Sequence, residues 1–249
     1  MGQFDWLATS FESTPFTVFD TETTGLEPKH CRVVEAGAIR FDAMGIKARF
    51  NALINPGTPM PPEVTKINGI TDGMLKGQPD AAGVLPDFIR FIGDSVLIAH
   101  NAPFDISFIN EELARLGKPA LKNRVIDTRI FAKEMFPDLP KYALQELAVR
   151  FGIQAIDAHR AEDDARVCME LFLVCLGRLR DKMGVQASQN GAIAAPDQAM
   201  PAAAEPANAQ NEQKAALQIA VKAAVEPDQE DLFGEDFAEE EDYIEESPE

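Results

Sequence analysis

The sequence has no apolar run approaching the length of a membrane span, the longest lying around residues 171–176. It also lacks a basic N-terminal region followed by an apolar stretch, so no secretory signal is expected. Both absences predict a cytoplasmic protein with no membrane partner. Cysteine is scarce: Cys31, Cys168 and Cys175 sit in apolar contexts without the spacing of a zinc site. They read as core thiols of a reducing compartment and exclude a disulfide framework. Histidine is as scarce, so a reaction that needs an imidazole must draw on His30, His100 or His159. Basic residues are short too, with 23 Lys and Arg against 41 Asp and Glu, a net charge of −18. From Gly184 onward there are 16 acidic and 2 basic residues, which leaves 25 and 21 before it. The body is nearly neutral and the tail carries the acidity. A nucleic-acid binder usually shows a basic footprint. Here bound cations would have to supply the positive charge locally.

What is present organises into a body over residues 1–183 and a tail over 184–249. Residues 1–14, with Phe4, Trp6, Leu7 and Phe11, suggest a helical turn or two. Phe16-Thr17-Val18 opens a buried strand that runs into Phe19-Asp20-Thr21-Glu22 and is ended by Thr23-Thr24-Gly25. Residues 32–41 and 48–54 read as a second and third strand, with a hairpin turn at 43–47 containing Gly45. Pro61-Pro62 opens a short helix and Thr71-Asp72 caps another turn. Helical periodicity covers 81–92 despite Pro86. A short strand at 95–99, a helix at 103–116 ended by Gly117 and a strand at 124–127 follow. Helices are expected at 128–136, 142–151 and 161–183. A strand meander followed by strands alternating with helices predicts an α/β fold, a mixed sheet with an antiparallel edge flanked by helices. Residues 185–210 are rich in Ala, Pro, Gln and Asn and read as a disordered linker, with a weak amphipathic helix expected at 213–225 before the acidic end.

The chemistry starts at Asp20 and Glu22. Side chains at i and i+2 share a strand face, so both carboxylates point the same way at the C-terminal end of a strand, where open α/β sheets place their sites. Such a pair repels itself unless a divalent cation joins it. Helix phase adds two more acids. Asp105 aligns with Phe108, Ile109 and Leu116, and Asp164 aligns with Cys168, Leu171, Phe172, Cys175 and Leu179. An inward carboxylate costs several kcal/mol unless it is paired or ligates a metal. For either acid taken alone, a capping or salt-bridged role is the alternative. Glu162 and Asp163 point outward and read as a solvated first turn favoured by the helix dipole. His159 lies five residues before Asp164, about 500° along a helix, so it must occupy the preceding loop if both serve one site. There an imidazole with an ordinary pKa of about 6.5 suits a general base. His100 directly follows a strand and reads as a packing or backbone-orienting residue. Four carboxylates balance the charge of two divalent cations, the clamp for in-line attack on a phosphodiester. All-oxygen ligands select Mg²⁺ or Mn²⁺.

Three segments, Phe19-Asp20-Thr21-Glu22-Thr23-Thr24-Gly25-Leu26, Ala99-His100-Asn101-Ala102-Pro103-Phe104-Asp105 and His159-Arg160-Ala161-Glu162-Asp163-Asp164-Ala165, resemble the three motifs of the DEDDh exonuclease family. The resemblance covers roughly residues 14–180 and is closest to members that proofread for bacterial replicative polymerases. It implies an RNase H-like five-stranded sheet and 3′→5′ exonuclease activity. It also implies Asp20, Glu22, Asp105 and Asp164 as ligands of two Mg²⁺ or Mn²⁺ ions and His159 as general base. Thr23, Gly25, Leu26, Asn101 and Phe104 match positions that cradle the 3′-terminal nucleotide; for these the alternative is local, a turn for Thr23 and Gly25 and packing for Leu26 and Phe104. One departure is Asn68-Gly69-Ile70-Thr71, where relatives often carry His before Gly-Ile-Thr, and it bears on substrate preference. In the tail, Gln229, Leu232 and Phe233 of Gln229-Glu230-Asp231-Leu232-Phe233 resemble the peptide by which bacterial replication proteins dock on the sliding clamp. The alternative is a solubilising acidic tail. The expected substrate is a single-stranded or frayed DNA 3′ end, in proofreading or repair, with a DNA polymerase subunit as a partner. Trimming of RNA 3′ ends and a non-catalytic clamp adaptor are the alternatives.

Overall fold

The computed structural model describes residues 2–156 and 158–185. The linker at 185–210 past Val185, the helix at 213–225 and the clamp-type peptide at 229–233 lie outside the described residues. In chain order the elements are α1 (Leu7–Ser10) with a 3-10 turn (Phe11–Ser13), β1 (Phe16–Thr23), β2 (Val33–Asp42) and β3 (Gly45–Leu53). They continue with α2 (Pro62–Asn68), α3 (Asp72–Leu75), α4 (Ala81–Ile92), β4 (Val96–Ala99), α5 (Ala102–Arg115) and β5 (Val125–Asp127). The last three are α6 (Thr128–Met135), α7 (Leu144–Phe151) and α8 (Ala161–Met183). Among the described residues the strands form one five-stranded sheet in the order β3-β2-β1-β4-β5. β1 and β2 pair antiparallel, as do β2 and β3, while β1, β4 and β5 run parallel. The expected mixed sheet with an antiparallel edge is the observed one.

β1 is central because both of its faces are apolar. All eight of its residues are buried. Phe16 and Val18 join Phe41, Phe131 and Phe172 beneath α1, α6, α7 and α8. Phe19 lies on the other face with Phe88 and Phe108, under α4 and α5. Each buried aromatic contributes about 1.5–3 kcal/mol by leaving water. The even-numbered positions of β1 thus face α8 and the odd-numbered ones face α5.

The hairpin between β2 and β3 is tighter than a 43–47 turn. Asp42 already pairs with Gly45, and Asp42 Oδ1 accepts from the Met44 N–H at 2.7 Å. Only Ala43 and Met44 remain in the turn, because Gly45 adopts a φ of 118° that other residues rarely reach. The long helix begins and ends where its periodicity predicts, and Gly184 (φ 66°) closes it.

Candidate active site

Asp20 and Glu22 leave β1 on the face covered by α8, and both are buried. The register sets what stands beside them: Asp20 is opposite Gly37 and Glu22 opposite Glu35 of β2. Gly37 is required there. A Cβ on it would lie 2.2 Å from the backbone carbon of Ala161 and from the nitrogen of Glu162, so the first turn of α8 rests directly on β2. Glu35, completely buried, fastens that turn. Its carboxylate accepts from Arg160 Nε and Nη2 at 3.0 and 2.7 Å and from the Ala161 N–H at 3.2 Å. One turn further on, α8 presents Asp164 over the β1 acids. Ligand oxygens of Asp20, Glu22 and Asp164 all lie within 4.8 Å of one another. Three buried carboxylates converging without a cation among them would repel strongly. Their hard-oxygen donor set fits a divalent cation such as magnesium or manganese.

His159 does occupy the loop before α8, held at a φ of 70°. Its backbone N–H donates to Asp164 Oδ2 at 3.3 Å, and its Nδ1 lies 4.0 Å from the same oxygen. The other oxygen, Oδ1, accepts from Gln145 Nε2 of α7 at 2.7 Å. The outward, solvated reading of this turn holds for Glu162, which pairs with Arg49 in a half-exposed bridge. It fails for Asp163. That carboxylate accepts the Ile156 N–H at 2.7 Å and pairs with Arg166 at 2.8 Å, so it ties down the loop that carries His159. Helix phase shows only that Asp163 is off the core stripe; a returning loop supplies its partner.

Asp105 arrives from the opposite face. It sits in the first turn of α5 with 2% of its surface exposed, and its Oδ1 accepts from both the N–H and the hydroxyl of Thr21, at 2.9 and 2.7 Å. Thr21 stands between Asp20 and Glu22 on β1 and points the other way. The fourth acid is therefore anchored beside the three-carboxylate cluster and bonded through the strand, not gathered with the others on one side. Helix phase established that Asp105 faces inward, but not which face of the sheet α5 covers.

Asp127 is a residue that spacing did not single out. At the end of β5 its carboxylate accepts from the N–H groups of Asn101, Ala102 and Arg129 at 3.1, 3.1 and 2.8 Å. Burial raises its pKa, partly offset by those same bonds. It fixes Asn101 in the left-handed region (φ 63°) and with it the start of α5. The available signal was the Asp-Thr pair at a strand end, a helix cap. His100 packs and orients backbone as expected: Nδ1 meets Thr128 Oγ1 at 2.9 Å and Nε2 meets the Tyr142 carbonyl at 2.8 Å. Cys168 lies beside Thr128, and burial pushes its thiol well above its ordinary pKa, which removes thiolate chemistry from this side of the site.

Among the nucleotide-cradling candidates, Thr23 Oγ1 donates to the Gly25 carbonyl at 2.6 Å and shapes the turn. A Cβ on Gly25 would meet Cys31 Sγ at 2.7 Å. Phe104 packs against Phe108 with ring centroids 4.9 Å apart and the rings tilted by 48°, at the edge of the α5-side core, and Leu26 is half-buried. Asn68 is buried and its Oδ1 accepts from the Ile70 N–H at 3.0 Å, turning the chain after α2. An apolar groove of about 520 Å³, lined by Leu85, Pro86, Ile89, Leu113, Leu116 and Leu121, lies at the opposite end of α5, away from these carboxylates.

Comparison with known proteins gives a consistent picture. A family model described as Exonuclease matches residues 17–172. The DNA polymerase III subunit epsilon of Treponema pallidum is 48% identical over 190 residues, which cover 76% of this chain and 85% of that one. The corresponding subunit of Aquifex aeolicus is 36% identical over 170 residues, or 68% of this chain and 84% of that one. Among solved structures, exonuclease I superposes with a TM-score of 0.60 at 19% identity; the match covers 69% of this chain and 43% of that chain, and it shows a shared fold.

Proposed function

The chain belongs to the exonuclease family and is a 3′→5′ exonuclease of the proofreading type acting on DNA; we propose that it works by two-metal hydrolysis, with Asp20, Glu22, Asp105 and Asp164 as the metal-binding acids and His159 as general base. The observation that carries this reading is the convergence of Asp20, Glu22 and Asp164 at the end of β1, beside an imidazole in a fixed loop. Two divalent cations, Mg²⁺ or Mn²⁺, would supply Lewis acidity, lowering the pKa of the attacking water and offsetting charge on the departing oxygen. Asp20, Glu22 and Asp164 would hold that centre together with Asp105, whose carboxylate Thr21 orients. His159 takes the proton of the attacking water while its loop is braced by Asp163. The bond between phosphorus and the O3′ of the penultimate nucleotide breaks, and the terminal nucleotide leaves as its 5′-monophosphate. Thr23, Gly25, Leu26, Asn101 and Phe104 form the cradle for that terminal nucleotide. The polymerase-subunit names of the relatives support proofreading beside a replicative polymerase. Gln229, Leu232 and Phe233 would add a tether to the sliding clamp.

The test is release of mononucleotides from 3′-labelled DNA and RNA oligonucleotides on adding Mg²⁺ or Mn²⁺. Asp20→Ala should abolish release with the fold intact, and His159→Ala should slow it by at least about a hundredfold. Metal-dependent release from RNA alone would overturn the DNA reading, and parent-like cleavage by His159→Ala would remove the general-base assignment. Equal retention of parent and a Leu232/Phe233→Ala variant on immobilised clamp would dispose of the tether.

A further inference from the structure

We propose that Gln145 is a positioning residue for the cation site, holding the Asp164 carboxylate in the plane it needs to ligate. The inference rests on Asp164 being a metal ligand, as argued above. Gln145 belongs to α7, not to the helix that carries Asp164, and its amide nitrogen stands 2.7 Å from Asp164 Oδ1. A carboxylate only accepts, so the contacting amide atom must be the N–H₂. On the other oxygen, the His159 N–H donates to Oδ2 at 3.3 Å. Asp164 is in the first turn of α8, where its carboxylate could otherwise rotate about two side-chain torsions. Donors from two separate elements, one on each oxygen, fix that rotation.

The chemistry of the donor matters. A lysine or arginine at this place would bring a full positive charge and compete with the cation for the carboxylate. An amide holds the oxygen without neutralising it, as outer-shell partners of metal ligands commonly do. The amide is itself fixed. α7 packs through Leu147 and Ala148 into the α8-side core. Just before α7, the Tyr142 carbonyl is bonded to His100 Nε2 at 2.8 Å, and His100 Nδ1 is bonded to Thr128 Oγ1. His100 lies in the turn between β4 and α5, the same turn that leads to Asp105. Gln145 thus closes a path of hydrogen bonds and short chain segments from the Asp105 side of the site to Asp164.

The experiment compares full-length parent, Gln145→Met, Gln145→Ala and Asp164→Asn by Mn²⁺ titration calorimetry and by exonuclease rate against Mn²⁺ concentration. Methionine keeps the volume and removes the donor, so it separates the hydrogen bond from packing. Gln145→Met and Gln145→Ala should both bind Mn²⁺ about 10–100-fold more weakly than the parent, with kcat recovering at saturating metal. Asp164→Asn should lose the affinity and not recover. Parent-like Mn²⁺ affinity in Gln145→Met, with affinity lost in Asp164→Asn, overturns the role of Gln145. A lowered kcat with unshifted Mn²⁺ affinity overturns it as well. Parent-like affinity in Asp164→Asn would instead strike at the ligand assignment on which the inference rests.

Discussion

Replacing Gly37 with alanine tests the placement of the whole α8 side of the site. The added Cβ would lie 2.2 Å from the Ala161 carbon and the Glu162 nitrogen and 2.6 Å from the Ala161 oxygen. Ordinary contacts begin near 3.4 Å, so α8 must rise by roughly 1 Å, and because every obstacle is backbone, no side-chain rotation relieves the clash. Overpacking of this kind costs about 1–3 kcal/mol, which in a domain of this size lowers Tm by about 2–12 °C. The same movement carries Asp164 and the His159 loop away from Asp20 and Glu22. A misplacement of about 1 Å in a catalytic constellation costs on the order of a hundredfold in rate. Thermal melting and hydrolysis of 3′-labelled single-stranded DNA at saturating Mn²⁺ read the two effects separately. Gly177→Ala is the control on the same helix, since a Cβ there meets nothing within 4 Å. If Gly37→Ala melts and cleaves like the parent, α8 does not rest on β2 as described and the site geometry falls with it.

Gly177→Ala should raise stability by about 0.5–1 kcal/mol and leave the rate unchanged; a destabilised variant in urea titration would contradict the open space around that position. Glu35→Gln keeps the shape but turns an N–H₂ toward Arg160 or the Ala161 N–H, so it should cost about 1–3 kcal/mol and reduce the rate, and unchanged values for both would show that Glu35 does not fasten α8. Because burial raises the Asp127 pKa, the folded chain holds that proton to higher pH than the unfolded chain. Its contribution to stability is present below the unfolded pKa and is lost as pH rises through the raised one. Stability curves of parent and Asp127→Asn should therefore diverge across that acidic window, and parallel curves would refute the shift. Burial pushes Cys175 up to about 12 and Cys168 well above its ordinary value, so native protein at pH 8 should alkylate at Cys31 alone. Rapid labelling of either buried thiol, read by peptide mass spectrometry, would count against the packing of α8.

Much of the fold is legible because its signals are local. A β-branched and aromatic run marks β1, and an apolar stripe marks α8, so those elements follow from the sequence. The five-residue offset between His159 and Asp164 likewise places the histidine in a loop, because helix geometry forbids both on one face. What escaped depends on how separate segments fold onto one another. The Asp163 carboxylate looks solvated until the Ile156 loop folds back on it. Gly37 resembles any glycine in a strand until α8 crosses it, and Glu35 resembles an edge acid until Arg160 arrives 125 residues later. Asp105 was correctly read as inward, but the choice of sheet face belongs to the β4–α5 connection and not to the periodicity of the helix.

The proposed site draws its acids from both faces of the sheet, and the alternation of β1 is what lets it do so. Asp20 and Glu22 point to α8, while Thr21 between them points to α5 and takes Asp105 Oδ1 with two bonds. Each helix that delivers an acid is in turn fastened to one end of β2 by a buried glutamate and an arginine. On the α8 face, Glu35 of the strand holds Arg160 and the helix start. On the α5 face, Glu112 of the helix accepts from Arg32 Nε and Nη2 at 2.7 and 2.9 Å and from the Val33 N–H at 3.3 Å. That bond also raises the Arg32 pKa, keeping its charge fixed. Buried pairs of this kind add little net stability against an apolar replacement, because desolvation offsets their attraction. Their value lies in geometry. An apolar contact tolerates sliding, whereas a bidentate carboxylate–guanidinium pair fixes register and angle. In the proposed site, two helices on opposite faces have to hold their acids with a precision of about 1 Å, and fastening both to residues 32–35 makes the errors of the two sides shared rather than independent.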